Sequence, residues 1–215
     1  MEKESGVYGG EDGEETEMQQ LIRHWMNERQ APDVLPAQDV LLGTMLDRIR
    51  RQSDTIALLR SDPDSSEEEH FRIMLAQTEI ERVKFVVRSY VRTRLYKIEK
   101  YARYLVANPD LQEKLTQIEL EHAKTFAKLT EAHFHQSVLQ ALPEEQRRLT
   151  DHVAFMPPMI PEPDKTRAVF VHARTKCPPV RLPDGSALEM QKGQISLTPY
   201  YVIEQLLVRG EVELV

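Results

Sequence analysis

Apolar residues recur at helical intervals over the first two-thirds of this chain and alternate with polar ones over its last quarter. Met18, Leu21, Ile22, Trp25 and Met26 share one side of a short helix predicted over Glu17–Arg29, which Ala31-Pro32 ends. A second helix is predicted over Gln38–Leu59, where Val40, Leu41, Met45, Leu46, Ile49, Ile56 and Leu59 recur at helical spacing and Ser53 interrupts. The stretch Ser61-Asp-Pro-Asp-Ser-Ser66 is turn chemistry. Its serines offer helix caps, and Glu67, Glu68 and Glu69 follow where the helix dipole favours negative charge.

From Glu67 to Val106 there is neither proline nor glycine, which predicts a helix of about 40 residues, ~60 Å long. At ~100° per residue, Ile80, Val83, Val87, Tyr90, Val91, Leu95, Ile98, Ala102 and Leu105 form one apolar stripe. Phe71, Met74, Leu75, Phe85, Val86, Tyr96 and Tyr104 form a second, roughly opposite. A helix resting on one neighbour needs a single stripe, so this one requires cover on both sides, from its own chain, a partner, or both. Asn108-Pro109 breaks the pattern, and a fourth helix is predicted from Pro109 to Leu142, stopping at Pro143. Four helices on short connections predict a bundle.

The pattern then changes. Phe155-Met-Pro-Pro-Met-Ile-Pro-Glu-Pro163 carries four prolines in nine residues and reads as a linker. Beyond it Ala168–Ala173, Val180–Leu182, Ala187–Met190 and Gln194–Thr198 read as strands, with a Pro-Asp-Gly turn between the middle two. Pro199 opens a helix over Tyr200–Val208, Gly210 ends it, and Glu211–Val215 alternates as a terminal strand. The predicted fold class is therefore mainly α: a helical-bundle domain with one very long helix, then a small C-terminal β-rich (α+β) module. The predicted boundaries are a tail over 1–16, a helical domain over 17–150, a linker over 151–165 and the module over 166–215. A module of that size is near the lower limit for independent stability, so docking is expected.

Composition adds little to this except in where the charge lies. Residues 1–20 hold seven acidic groups against one lysine, while the other 195 residues hold 27 basic and 28 acidic groups. The net charge of −7 is thus mostly an acidic tail on a balanced body. The first residues do not pair a basic segment with an apolar run, and no apolar stretch approaches the ~20 residues of a membrane span, so an intracellular setting without membrane contact is expected. Cys177 is the single cysteine, which leaves no internal disulfide.

No phosphate-binding loop, dinucleotide fingerprint, nucleophile elbow or His-Glu-x-x-His pair occurs. His122, His133 and His135 are spaced so that they cannot face one ion. Neither enzyme activity, metal nor cofactor is expected. Between Glu79 and Arg103 eight cations stand against three glutamates, with Tyr90, Tyr96 and Tyr101 interleaved and Tyr104 next in line. One reading sends them to nucleic acid; the preferred one lets them separate the apolar stripes and pair with acids on neighbouring helices, because their angles scatter around the helix. Arg94 falls inside the first stripe and so must reach a carboxylate or carbonyls across a helix interface.

Three segments resemble a known family: Trp25-Met-Asn-Glu-Arg-Gln-Ala-Pro-Asp-Val-Leu35, the run Glu81-Arg-Val-Lys-Phe-Val-Val-Arg-Ser-Tyr-Val-Arg-Thr-Arg-Leu-Tyr-Lys-Ile-Glu-Lys-Tyr101, and the ending Val208-Arg-Gly-Glu-Val-Glu-Leu-Val215. They resemble the Sld-five family of GINS-complex subunits, nearly end to end from residue 17. The resemblance implies a non-catalytic scaffold in a nuclear heterotetramer with three other GINS subunits. It further implies that the tetramer joins the MCM motor and a third factor in the CMG helicase, on chromatin at replication forks, and offers docking surfaces to other replisome proteins. By this similarity the long helix around Tyr90 and Arg94 packs on a sister subunit, and the module ending at Val215 docks within the tetramer. Trp25, Val83, Val87, Tyr90, Arg94, Ile98, Leu214 and Val215 are the candidate subunit contacts. In some members an N-terminal apolar-acidic peptide binds a replisome hub; here Glu2–Glu17 offers only Val7 and Tyr8 as large apolar groups.

Overall fold

A computed structural model of the protein describes residues 15–61, 66–150, 158–182 and 185–215. Most of the predicted acidic tail, the turn at 62–65, the linker residues 151–157, and Pro183 and Asp184 of the predicted turn lie outside the described residues.

Three helix starts share one device. The helix α1 (Glu17–Gln30) is capped by Thr16, α3 (Glu67–Lys100) by Ser66, and α6 (Gln117–Ser137) by Thr116. In each case the cap hydroxyl accepts the backbone N–H three residues on, and the Gln or Glu side chain at that position reaches back to the cap's own N–H. Between them lie α2 (Asp39–Arg60), the short α4 (Ala102–Ala107) and α5 (Pro109–Gln112).

The single helix expected over Glu67–Val106 is divided at Tyr101, whose φ/ψ of −105°/16° leaves the helical region. Tyr101 is buried with Val34, Ile98, Leu105 and Ala123, so the break turns α4 into that cluster against α6. The helix expected over Pro109–Leu142 is likewise divided, because Thr116 and Glu119 begin a new helix at Gln117. That helix ends at Ser137, before two short 3-10 turns.

Helix α1 lies between two bodies. One side places Leu21 in a core with Met45 and Ile49 of α2 and Ile80, Val86, Val87 and Tyr90 of α3. Removing Leu21 from water contributes about 1.5–3 kcal/mol. The other side meets the C-terminal module, and Ala31, just past the helix end, belongs to the module's core.

The module is a three-stranded antiparallel sheet of order β4-β1-β5, formed by β1 (Ala168–Ala173), β4 (Ile195–Pro199) and β5 (Val212–Leu214), with β2 (Val180–Arg181) and β3 (Ala187–Leu188) paired separately. Val169, Val171 and Ala173 point inward from β1 onto α7 (Tyr200–Val208). Gly210, at φ 73°, ends α7: its N–H donates to Leu207 O, and the next N–H, of Glu211, donates to Leu206 O. That pair of bonds needs a left-handed residue, which glycine adopts without a side-chain clash.

Candidate functional site

Most of the first apolar stripe of the long helix is covered by this chain, while Val91 and Leu95, at its side, stay exposed. Tyr90, Arg94 and Ile98 are almost wholly buried, Val87 is buried, and Val83 packs partly buried in the α1–α2–α3 core. Leu214 is buried in the module's core. Of the candidate subunit contacts, Val83, Val87, Tyr90, Arg94, Ile98 and Leu214 are thus packed within the chain itself, against α1, α2, α6 and the module.

Arg94 is paired as its burial requires, within the chain. Its Nε and Nη2 donate to the two Glu119 oxygens, each at 2.8 Å; Nη1 donates to Glu28 Oε2 at 3.0 Å and Leu35 O at 2.7 Å, and Nη2 also donates to Lys114 O at 3.2 Å. All five guanidinium N–H groups are thereby matched. Lys97 donates its three ammonium hydrogens to Glu28 O, to Glu28 Oε1 at 2.9 Å and to Asp33 O at 2.8 Å. Glu28, 1% exposed, thus receives two cations and the Leu35 N–H. Burial acts to push the Arg94 guanidinium down, but its bonds to Glu119 and the charge of Glu28 hold it above its ordinary value. For Lys97 burial wins over the attraction of Glu28, and its pKa is lowered.

Sequence reading finds the need for a partner at Arg94 but not the partners. A signal for Glu119 exists in Thr116-Gln-Ile-Glu119, the capping box itself, whose acid both caps α6 and clamps Arg94.

The second stripe is the open one. Phe71, Met74 and Leu75 on the first turns of α3, then Phe85 and Tyr96, are between 56% and 66% exposed. Val86, read as part of this stripe, is instead buried in the α1–α2–α3 core. Trp25 stands half-buried at the stripe's edge, its ring 6.3 Å from that of Phe85 and nearly perpendicular to it. A second apolar surface lies on the outer face of the module's sheet. Register places Phe170 opposite Leu197, and Val215 donates its N–H to Phe170 O, so Leu197, Phe170 and Val215 make a row across the sheet, all three more than half exposed. Ile195 adjoins them, beside the His172–Glu213 pair at 2.7 Å. The sequence signal is present in Ala168-Val-Phe-Val-His-Ala173, where apolar residues fall on both faces of one strand.

The cations of 82–103 are largely occupied. Arg82 pairs with Glu79, Lys84 and Arg88 pair with Glu81, and Arg94 and Lys97 are buried. Arg103, on α4, reaches Glu131 of α6 at 3.8 Å. That last pair joins neighbouring helices as expected, whereas the acids used by Arg82, Lys84 and Arg88 lie on their own helix. His122 contacts Glu99 at 3.1 Å, and among the described residues no group of three or more His, Cys, Asp or Glu side chains is placed to hold a metal ion. An open groove of about 460 Å³ between α2 and α3 is lined by Ile56, Ala57, Gln77 and Ile80, with Glu81 and Lys84 paired to each other at its edge.

Comparison with known proteins agrees with this division into helices and module. Residues 45–138 match the family model of the GINS complex protein helical bundle domain, and residues 163–215 match that of the DNA replication complex GINS protein SLD5 C-terminus. The chain is 34% identical to the Schizosaccharomyces pombe DNA replication complex GINS protein sld5, over 94% of this chain and 92% of that one. The chain belongs to the Sld5 family of GINS complex proteins. Family relatives extend to the SLD5 protein of Saccharomyces cerevisiae, 30% identical over 91% of this chain and 79% of that one. The Arabidopsis thaliana SLD5 protein is 24% identical, over 93% and 91% respectively. Both open apolar surfaces, Phe85 on α3 and the Phe170 row on the sheet, fall inside the matched Sld5-family segments.

Proposed function

We propose that this chain is a non-catalytic scaffold subunit of a GINS heterotetramer in the nucleus, and that the tetramer joins and activates the MCM motor within the CMG helicase on replicating chromatin. Residues 17–150 act as the helical domain and 166–215 as the module. The observation that carries the reading is the pair of open apolar surfaces: a stripe running from Phe71 to Tyr96 and the sheet face around Phe170. Side chains of that size in rows are what a permanent subunit interface buries. Membership of a GINS complex supports sister GINS subunits as the partners for these two faces; the reading takes them to be three, with the MCM motor, its CMG partner factor and other replisome proteins reached through the assembled tetramer.

A nucleic-acid role for residues 82–103 draws less support, because Arg82, Lys84, Arg88, Arg94, Lys97 and Arg103, six of its eight cations, already have carboxylate partners. The deciding experiment is mass by light scattering after size exclusion, for the chain alone and co-expressed with three candidate sister subunits. A soluble 1:1:1:1 complex is expected. A well-behaved monomer that ignores all three would overturn the reading.

A further inference from the structure

Two cations and two anions close a ring where the helical part meets the module. Asp33, in the loop after α1, receives Lys114 at 2.8 Å; Glu204, on α7, receives Lys165 at 2.9 Å. The first pair lies within the helical part, and the second within the C-terminal segment 163–215, where Lys165 immediately precedes the module. The other two sides of the ring cross the junction, Lys165 to Asp33 and Lys114 to Glu204, both at 3.6 Å. Charges thus alternate around the ring: Asp33, Lys114, Glu204, Lys165.

Asp33 is the anchored corner. It is 1% exposed, its Oδ1 accepts its neighbour Val34 N–H at 2.8 Å, and its carbonyl accepts Lys97. Its remaining oxygen, Oδ2, is the one that faces both lysines. The helical part therefore offers the module a fixed charge. By contrast, the apolar contact here comes from Ala31 and Leu35, set against the module's own core. Apolar contact is non-directional, and these two side chains do not select one docking angle. The directional contacts are the ring, the bond from the Leu214 N–H to Asn27 Oδ1 at 2.8 Å, and the Arg174–Glu15 pair at 3.0 Å near the other end of α1.

We propose that the Asp33–Lys114–Glu204–Lys165 ring is a clasp that fixes the orientation of the C-terminal module on the helical domain, with Asp33 as its positioning residue. The module then presents its Phe170 face at a set angle from the α3 stripe because charges alternate across the junction. The inference concerns the chain's own geometry and stands whichever partners the two faces meet.

A charge exchange separates this from a role inside the module alone. In the double variant Lys165→Glu with Glu204→Lys the pair within the C-terminal segment is kept with its signs reversed. Across the junction each exchanged group now faces a like charge: the new carboxylate on the loop before β1 faces Asp33, and the new ammonium on α7 faces Lys114. Amide hydrogen exchange on the full-length chain reads the result, because the Leu214 N–H bonds across the junction while the β1–β4 ladder lies within the module. The expected outcome is exchange at Leu214 faster by about tenfold or more, a loss of ~1.4 kcal/mol in local opening free energy or greater, with the β1–β4 amides unchanged. The neutral pair Lys165→Gln with Glu204→Gln is expected to give a smaller rise at the same amide. Unchanged exchange at Leu214 in the exchanged-charge variant would overturn the clasp. Equal acceleration at Leu214 and along β1–β4 would also overturn it, by assigning the ring to the module's own stability.

Discussion

Arg94 on α3 and Glu119 on α6 meet in a two-pronged pair, Nε to Oε1 and Nη2 to Oε2, both at 2.8 Å, with the Arg94 side chain 2% exposed. Glu28 of α1 takes the third nitrogen, so one guanidinium ties together three helices that are distant in sequence. Removing a single member of such a group leaves buried charge without a partner, which costs about 3–5 kcal/mol. Arg94→Met is expected to lower stability by that amount, with Glu119 and part of Glu28 stranded. Arg94→Lys keeps the charge but loses the planar fork, and is expected to fall in between. Urea unfolding followed by circular dichroism measures both; a midpoint for Arg94→Met equal to wild type would refute the assignment.

The Arg94 group also marks the boundary of what sequence alone makes legible. Helical periodicity places α1, α2 and α7 to within a residue or so, since each is a whole amphipathic segment with a stop residue at its end. It places β1 as well, from its β-branched and aromatic run. What it does not reveal is which of the two stripes on α3 the chain covers itself. Both are apolar, and the choice depends on where α1 lies, a tertiary fact. The break at Tyr101 escapes sequence reading because no proline or glycine marks it and packing around Ile98 and Ala123 decides it; the break before Gln117 has a mark, the Thr116-Gln-Ile-Glu119 capping box, which apolar periodicity alone passes over. For the contact surface, Trp25 and Val215 keep exposed area, while the other six candidates are buried or packed inside.

Acid should weaken the fold at one identifiable place. His24 of α1 is partly buried beside Arg23, Glu15 and Arg174, and its pKa is lowered to about 4, first by burial and then by Arg23. In the unfolded chain its pKa is ~6.5. The folded state thus favours neutral His24, and the unfolded state takes up a proton first as pH falls. This contribution to stability is complete above pH ~6.5 and declines as pH falls towards 4, the sense required when the folded pKa is depressed. Partial exposure of the ring reduces the full linkage value, leaving about 1–2 kcal/mol. Unfolding free energy measured at pH 7 and pH 4.5 for wild type and His24→Gln is expected to show the variant losing less on acidification. Parallel losses would reject the assignment.

Gly210→Ala tests the end of α7. The residue sits at φ 73° with no atom within 4 Å of the position a Cβ would take, so the penalty is backbone strain alone. A left-handed alanine costs roughly 1–2 kcal/mol. That change is expected to lower the thermal midpoint by several degrees while leaving the secondary structure intact. An unaltered midpoint would mean the turn tolerates another conformation.

The two apolar surfaces separate folding from assembly. Phe85 is 58% exposed and touches the edge of Trp25, and Tyr96 is 66% exposed, so neither contributes much to the chain's own core. Phe85→Ser with Tyr96→Glu is therefore expected to shift the chain's unfolding midpoint by little, within about 0.5 kcal/mol for substitutions away from buried features. If the α3 stripe is the face that meets sister subunits, the same variant should fail to enter a complex, because a glutamate set into a buried apolar interface has no partner for its charge. Phe170→Ser with Leu197→Ser applies the equivalent test to the sheet face. Both double variants would be co-expressed with the candidate sister subunits and compared with Arg94→Met by size exclusion and by unfolding. Loss of assembly with retained stability for the surface variants, against loss of stability for Arg94→Met, is the expected contrast. Normal assembly by the Phe85/Tyr96 variant would remove the α3 stripe from the interface and leave the Phe170 face to carry it.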